Sequence, residues 1–105
     1  MKPENRIVGN ILTALRKRGI YARRIHGSAY QIPGFPDIFC IVGGRFLGLE
    51  VKTEKGQLSK IQAHEIDQIR KAGGVAGVVR SVGEALAIVD DMTREPPAPV
   101  PAAGA

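Results

Sequence analysis

Tryptophan is absent from this chain, and its aromatic residues are only two tyrosines and three phenylalanines. So few flat side chains leave little material for a platform on which nucleobases stack, which disfavours an RNA-binding module of that kind. A single cysteine, Cys40, excludes an internal disulfide and argues against a cysteine-built zinc site. Set between Phe39 and Ile41, it reads as a small buried apolar residue, and a reducing compartment suits it. No apolar run is long enough for a membrane span, and the first residues lack the apolar core of a secretory signal. Acid is the scarcer charge: 10 Asp and Glu against 15 Lys and Arg leave a net charge of +5. An acidic partner is therefore expected, with nucleic acid first. The 105 residues suit one domain able to bury a real core. We expect that domain over residues 1–94, followed by a disordered Pro/Ala-rich tail over residues 95–105.

Hydrophobic spacing predicts the elements. Ile7, Ile11, Leu12 and Leu15 recur at helical intervals, with Pro3 suited to the first turn and Gly19 to the stop, so a helix is expected from about 3 to 18. Tyr21 to Ile25 reads as a strand and 26–34 as a polar loop. Asp37–Val42 and Phe46–Lys52 read as strands flanking Gly43-Gly44, a dipeptide suited to a tight hairpin turn. Both faces of this hairpin carry apolar residues, which places it centrally in a sheet with helices on each side. Leu58–Lys71 reads as a helix with Ser59 as a possible cap, and Val75–Val79 as a buried strand. Ser81 and Glu84 form a capping box for a last helix reaching about Asp91. The order αβββαβα implies an α/β fold whose mixed four-stranded sheet is flanked by helices, the last two strands being parallel.

Chemistry concentrates at the open end of the hairpin. If Val42 faces Arg45 across a two-residue turn, counting outward sets Asp37 opposite Glu50, and Lys52 projects from the same face as Glu50. Like charges directly opposed in a sheet are destabilising, and a divalent cation between them turns repulsion into binding. Carboxylate oxygens suit a hard cation, Mg2+ or Mn2+, and the Val51 carbonyl would point toward the same space. Such a cation activates water and polarises a phosphoryl oxygen. Lys52 would then either stabilise phosphoryl charge or orient the attacking water.

The run Gly34-Phe35-Pro36-Asp37, then Glu50-Val51-Lys52-Thr53, then Leu58-Ser59 with Gln62, then Gly73 to Ser81, resembles the VRR-NUC (virus-type replication-repair nuclease) family of the PD-(D/E)XK nuclease superfamily. The resemblance covers roughly residues 4 to 90. It implies a metal-dependent DNA endonuclease with a PD-(D/E)XK nuclease-like core, with Asp37, Glu50 and Lys52 as its catalytic triad. It also implies that Glu4 completes the metal site from the first helix and that Gln62 lies near it. Stand-alone members of that family imply a homodimer acting on branched DNA such as Holliday junctions, in the cytoplasm of a bacterial or phage-infected cell. DNA contact would fall to Arg16, Lys17, Arg18, Arg23 and Arg24, with His26 and Ser28 in the polar loop as further candidates. Arg23 and Arg24 must point to opposite faces of their strand. The competing reading is a basic DNA-binding module without catalysis, which leaves Asp37, Glu50 and Lys52 as coincidence.

Overall fold

The computed structural model describes residues 2–25 and 32–94. The predicted tail and the loop residues His26, Ser28 and Tyr30 lie outside these. In chain order the elements are α1 (Pro3–Lys17), β1 (Tyr21–Arg24), β2 (Ile38–Val42), β3 (Arg45–Val51), α2 (Lys60–Lys71), β4 (Val75–Val79) and α3 (Val82–Arg94). The sheet runs β1-β2-β3-β4, antiparallel between its first three strands and parallel between β3 and β4. A parallel neighbour requires a crossover, and α2 supplies it. Among the described residues no helix is long and apolar enough to cross a membrane.

Local chemistry explains most boundaries. Pro3 starts α1, where its missing N–H is no loss. Ser59 caps α2: its hydroxyl accepts the Gln62 N–H while the Gln62 side chain accepts the Ser59 N–H. That reciprocal pair starts the helix two residues later than its apolar pattern suggests. Ser81 accepts the Glu84 N–H as expected of a cap, but the Glu84 carboxylate reaches one residue further back, to the Arg80 N–H. α3 runs three residues past Asp91, to Arg94.

The hairpin register is the predicted one, Val42 opposite Arg45 through Ile38 opposite Leu49. Gly43 and Gly44 both adopt positive φ, as a tight primed turn requires. Alternation sends Ile38, Cys40, Val42, Leu47, Leu49 and Val51 to one face, where Ile11 and Leu15 of α1 and Val89 of α3 close the core over them. Each fully buried Leu or Ile contributes about 1.5–3 kcal/mol. Burial raises the Cys40 thiol to about 12, which leaves it an unreactive core side chain.

Helices lie on both sides of the sheet as expected, but their cover of the opposite face is partial. α2 packs against β4, as its place in the crossover dictates, and covers only that half of the sheet. Phe39 meets Phe46 and Tyr21 edge-on, while Tyr21 and Ile41 stay exposed over the β1–β2 half. Both edge strands carry an arginine plug. Arg16 of α1 donates to the Ala22 carbonyl of β1, and Arg70 of α2 to the Ala76 carbonyl of β4. Donors seated on edge carbonyls discourage further strand pairing.

Candidate active site

Gly34, Phe35, Pro36 and Asp37 each have a distinct physical task. Gly34 has a φ of +80°, and a Cβ there would sit 2.6 Å from the Ile61 carbonyl oxygen. Only glycine allows this close approach of the loop to the first turn of α2. Phe35 packs edge-on against Phe46. Pro36 is fully buried and rests on Gly48, where a Cβ would lie 2.9 Å from its ring. These three contacts deliver Asp37 to the end of β3.

There the Asp37 carboxylate accepts the Val51 N–H at 2.8 Å, and its own carbonyl accepts the Ile25 N–H at 2.8 Å. Asp37 is thus tied to β3 on one side and to the end of β1 on the other. One residue beyond the last ladder pair, it stands across from Glu50. Glu4, in the first turn of α1, reaches the same point. One carboxylate oxygen from each of Glu4, Asp37 and Glu50 lies within 4.8 Å of the others. Glu50 is 2 % exposed and is the only buried charged residue among those described.

Burial is the largest cause of a raised Glu50 pKa, followed by its hydrogen bond to Asp37 and by the charges of Asp37 and Glu4. Lys52 acts in the opposite direction, as a cation near the cluster must. The Glu50 carboxyl thus holds its proton more tightly than an ordinary carboxylate does. Glu4, Asp37, Glu50 and Lys52 therefore form one electrostatic unit. The Val51 side chain is buried in the core, and its backbone N–H holds Asp37.

The other predicted residues are distributed differently. Gln62 sits in the first turn of α2, beside Gly34, and its Oε1 is engaged by the Ser59 N–H. Arg24 donates to Asn5, the residue after Glu4 in α1, at 2.5 Å. Arg23 points to the other face and stacks over the Tyr21 ring at 4.5 Å. Arg16, Lys17 and Arg18 lie at the far end of α1, roughly 20 Å from Glu4 at 1.5 Å per residue. Arg16 is engaged at the β1 edge, and Arg18 pairs with Asp90 at 2.6 Å. Adjacency in sequence grouped these cations; the helix separates them. Asn5 escaped sequence reasoning, and its place beside Glu4 in an amphipathic helix is the one signal that could have flagged it.

A mixed sheet with helices on both sides, and three carboxylates and a lysine gathered where β3 ends, defines a nuclease of the PD-(D/E)XK type. Residues 5–89 match the family described as "Archaeal holliday junction resolvase (hjc)", and the chain belongs to that family. Two solved VRR_NUC-domain structures share the fold. One, at 23% identity and TM-score 0.71, aligns over 86% of this chain and 97% of its own. The second, at 15% identity and TM-score 0.73, aligns over 90% of both chains. Archaeoglobus fulgidus Hjc, a Holliday junction resolvase from an archaeal hyperthermophile, is 28% identical over 73% of this chain and 67% of its own, with a TM-score of 0.58. Among curated proteins, none matches the chain.

Proposed function

We propose that this chain is a metal-dependent endonuclease that hydrolyses phosphodiester bonds in branched DNA, Holliday junctions in particular. The observation that carries the reading is the convergence of Glu4, Asp37 and Glu50 beside Lys52, in a chain matched to the resolvase family over residues 5–89. The donor set fits a hard divalent cation, because three clustered carboxylates repel unless a positive charge or a proton stands between them. When bound, Mg2+ or Mn2+ supplies Lewis acidity to the scissile phosphoryl group and acidifies a water. Glu4, Asp37 and Glu50, with the Val51 carbonyl, would hold it.

The chain's own part follows from the geometry. The Val51 N–H fixes the orientation of Asp37. Glu50 must surrender its proton before it can act as a ligand, so loading is favoured as pH rises. The Lys52 ammonium stabilises charge gathering on phosphoryl oxygens. To Gln62, beside Gly34, we assign the task of orienting substrate or water once the Ser59 cap releases it.

For DNA contact we propose a duplex running along α1. It passes Arg24, bonded to Asn5, and then Arg16, Lys17 and Arg18 at the far end; His26 and Ser28, outside the described residues, are further contacts we propose. Arg23 serves the opposite face. Phosphate contacts of this kind position a duplex without reading its sequence. The apolar surface formed by exposed Tyr21 and Ile41 around half-buried Phe39 is the surface we assign to a homodimer, which would present two sites to two strands. A strict monomer by light scattering would exclude that pairing. Cytoplasm of a bacterial or phage-infected cell is the setting we infer, since DNA is there and Cys40 stays reduced. A non-catalytic module is disfavoured, because acids gathered on a DNA-facing surface weaken binding without giving anything in return.

The deciding assay offers four-way junction, flap, linear duplex and single-stranded DNA to the purified chain with Mg2+ or Mn2+. Junction cleavage that stops in chelator is expected. Undiminished cutting in chelator would rule out the metal site, and equal cutting of every substrate would rule out branch selectivity.

A further inference from the structure

Arg80 belongs to none of the groups above, yet its guanidinium enters the loop that follows Lys52. Its Nη1 donates to the Thr53 carbonyl at 2.5 Å and the Gly56 carbonyl at 2.8 Å, and it approaches the Glu54 carbonyl at 3.4 Å. These carbonyls belong to one tight turn, closed by the Gly56 N–H donating to the Thr53 carbonyl at 3.0 Å. Gly56 in turn lies against Lys52. A Cβ built on Gly56 would stand 3.4 Å from both Cβ and Cδ of the lysine, so the bare side of the glycine faces the lysine stem with room for little more than a methyl group. The turn is therefore a wall along the aliphatic stem of Lys52.

Arg80 fastens that wall to the sheet. It follows β4 directly, and the preceding residue, Val79, accepts the Lys52 N–H at 3.0 Å. The Arg80 N–H donates to the Glu84 carboxylate at 2.7 Å, which ties the same residue to the start of α3. Backbone and side chain on either side of this junction thus grip residues 52 to 56. Hydrogen bonds from a charged donor are about twice as strong as neutral ones. Lysine carries about 2 kcal/mol of rotamer entropy on its four-carbon stem, so a wall that narrows its choices matters for aim.

We propose that Arg80 is a positioning residue for Lys52: it clamps the turn from Thr53 to Gly56 so that the turn directs the Lys52 ammonium toward the Asp37–Glu50 end of the sheet. The proposal rests on the nuclease reading for its catalytic consequence, but the clamp itself has a readout independent of cleavage.

The test uses Arg80→Ala and Arg80→Lys in the full chain. On a four-way junction with Mg2+, Arg80→Ala should lower kcat about 10- to 100-fold, the scale of a small misplacement of a reacting group, with KM unchanged. Arg80→Lys should recover part of that loss, since an ammonium can still donate to the turn carbonyls. Without DNA, the Gly56 amide should exchange faster in Arg80→Ala, and the Lys52 side-chain NMR signals should move toward random-coil positions. If Arg80→Ala does not fold, Arg80→Lys carries both measurements, with smaller effects in the same directions. Unchanged Gly56 exchange and Lys52 signals would overturn the clamp. A raised KM with intact kcat would overturn it too, by making Arg80 a DNA contact. Should the wild type cut no branched DNA, the nuclease reading fails while exchange and NMR still decide the clamp.

Discussion

At one end of the β2–β3 hairpin, Gly43 and Gly44 turn the chain in open space; at the other, the Gly34–Asp37 loop meets α2, β3 and the first turn of α1. Both ends need glycine at positive φ, for different reasons. A Cβ on Gly43 or Gly44 would touch nothing within 4 Å, so only backbone geometry demands glycine there. A Cβ on Gly34 would collide with the backbone of Ile61 as well. The closed end satisfies itself with two residues. The open end opposes two carboxylates and adds a third from α1, an arrangement that local energetics disfavour. A hairpin can place like charges opposite each other only when the rest of the fold holds them there, and such a place is where chemistry is expected.

Breaking the open end chemically should have the largest effect. Lys52→Ala should reduce junction cleavage by about 10²- to 10³-fold, the range seen on removing one preorganised charge-stabilising donor. Asp37→Asn should remove at least as much, because it takes away a carboxylate placed by its bond to Val51. Both should retain the native circular dichroism spectrum and junction binding; full activity in either variant contradicts the site.

Next comes the contrast between the glycines. Gly44→Ala should cost about 1–2 kcal/mol, the left-handed backbone penalty alone. Gly34→Ala adds overpacking of about 1–3 kcal/mol. Urea unfolding of the two variants gives the comparison directly. Equal losses would mean that α2 does not seat against the loop as described.

The smallest effect is electrostatic and sharpens the same contrast. In metal-free protein Glu50 holds its proton more tightly folded than unfolded, so the native state binds more protons across the interval from the ordinary carboxylate range to about 9. Its contribution is fully present below the unfolded pKa and is lost as pH rises through the folded one. Stability should decline over that interval, and Glu50→Gln should flatten the decline. Identical pH profiles for wild type and variant would remove Glu50 from the account.

Several features were legible without coordinates because they follow from short-range rules. The register did, since a two-residue turn and a period of two leave one pairing in which Asp37 faces Glu50. So did the split of Arg23 from Arg24, which strand alternation imposes. The capping pair Ser59–Gln62 was half legible. Ser59 was readable as a cap, but Gln62 was assigned to the site on resemblance without foreseeing that its carbonyl oxygen would serve the cap. The spatial arrangement of the basic residues was the least legible. Arg16, Lys17, Arg18 and Arg24 are close in sequence, yet a rigid helix sets the first three far from Glu4 while Arg24 bonds to Asn5, the residue after it. Incomplete cover over Tyr21 and Ile41 also escaped pattern reading, because apolar alternation says that a face wants cover and not which helix reaches it.

The sequence by itself determined the element order, the hairpin pairing and the opposition of Asp37 to Glu50. These rest on backbone periodicity and on glycine at a tight turn, interactions that close within a few residues. Tertiary structure alone decided that Glu4 joins them, that α2 rests on Gly34, that Arg80 grips the turn after Lys52, and that α1 divides the cations between its two ends. Each of those depends on how separate elements pack, and packing depends on contacts between residues far apart in the chain.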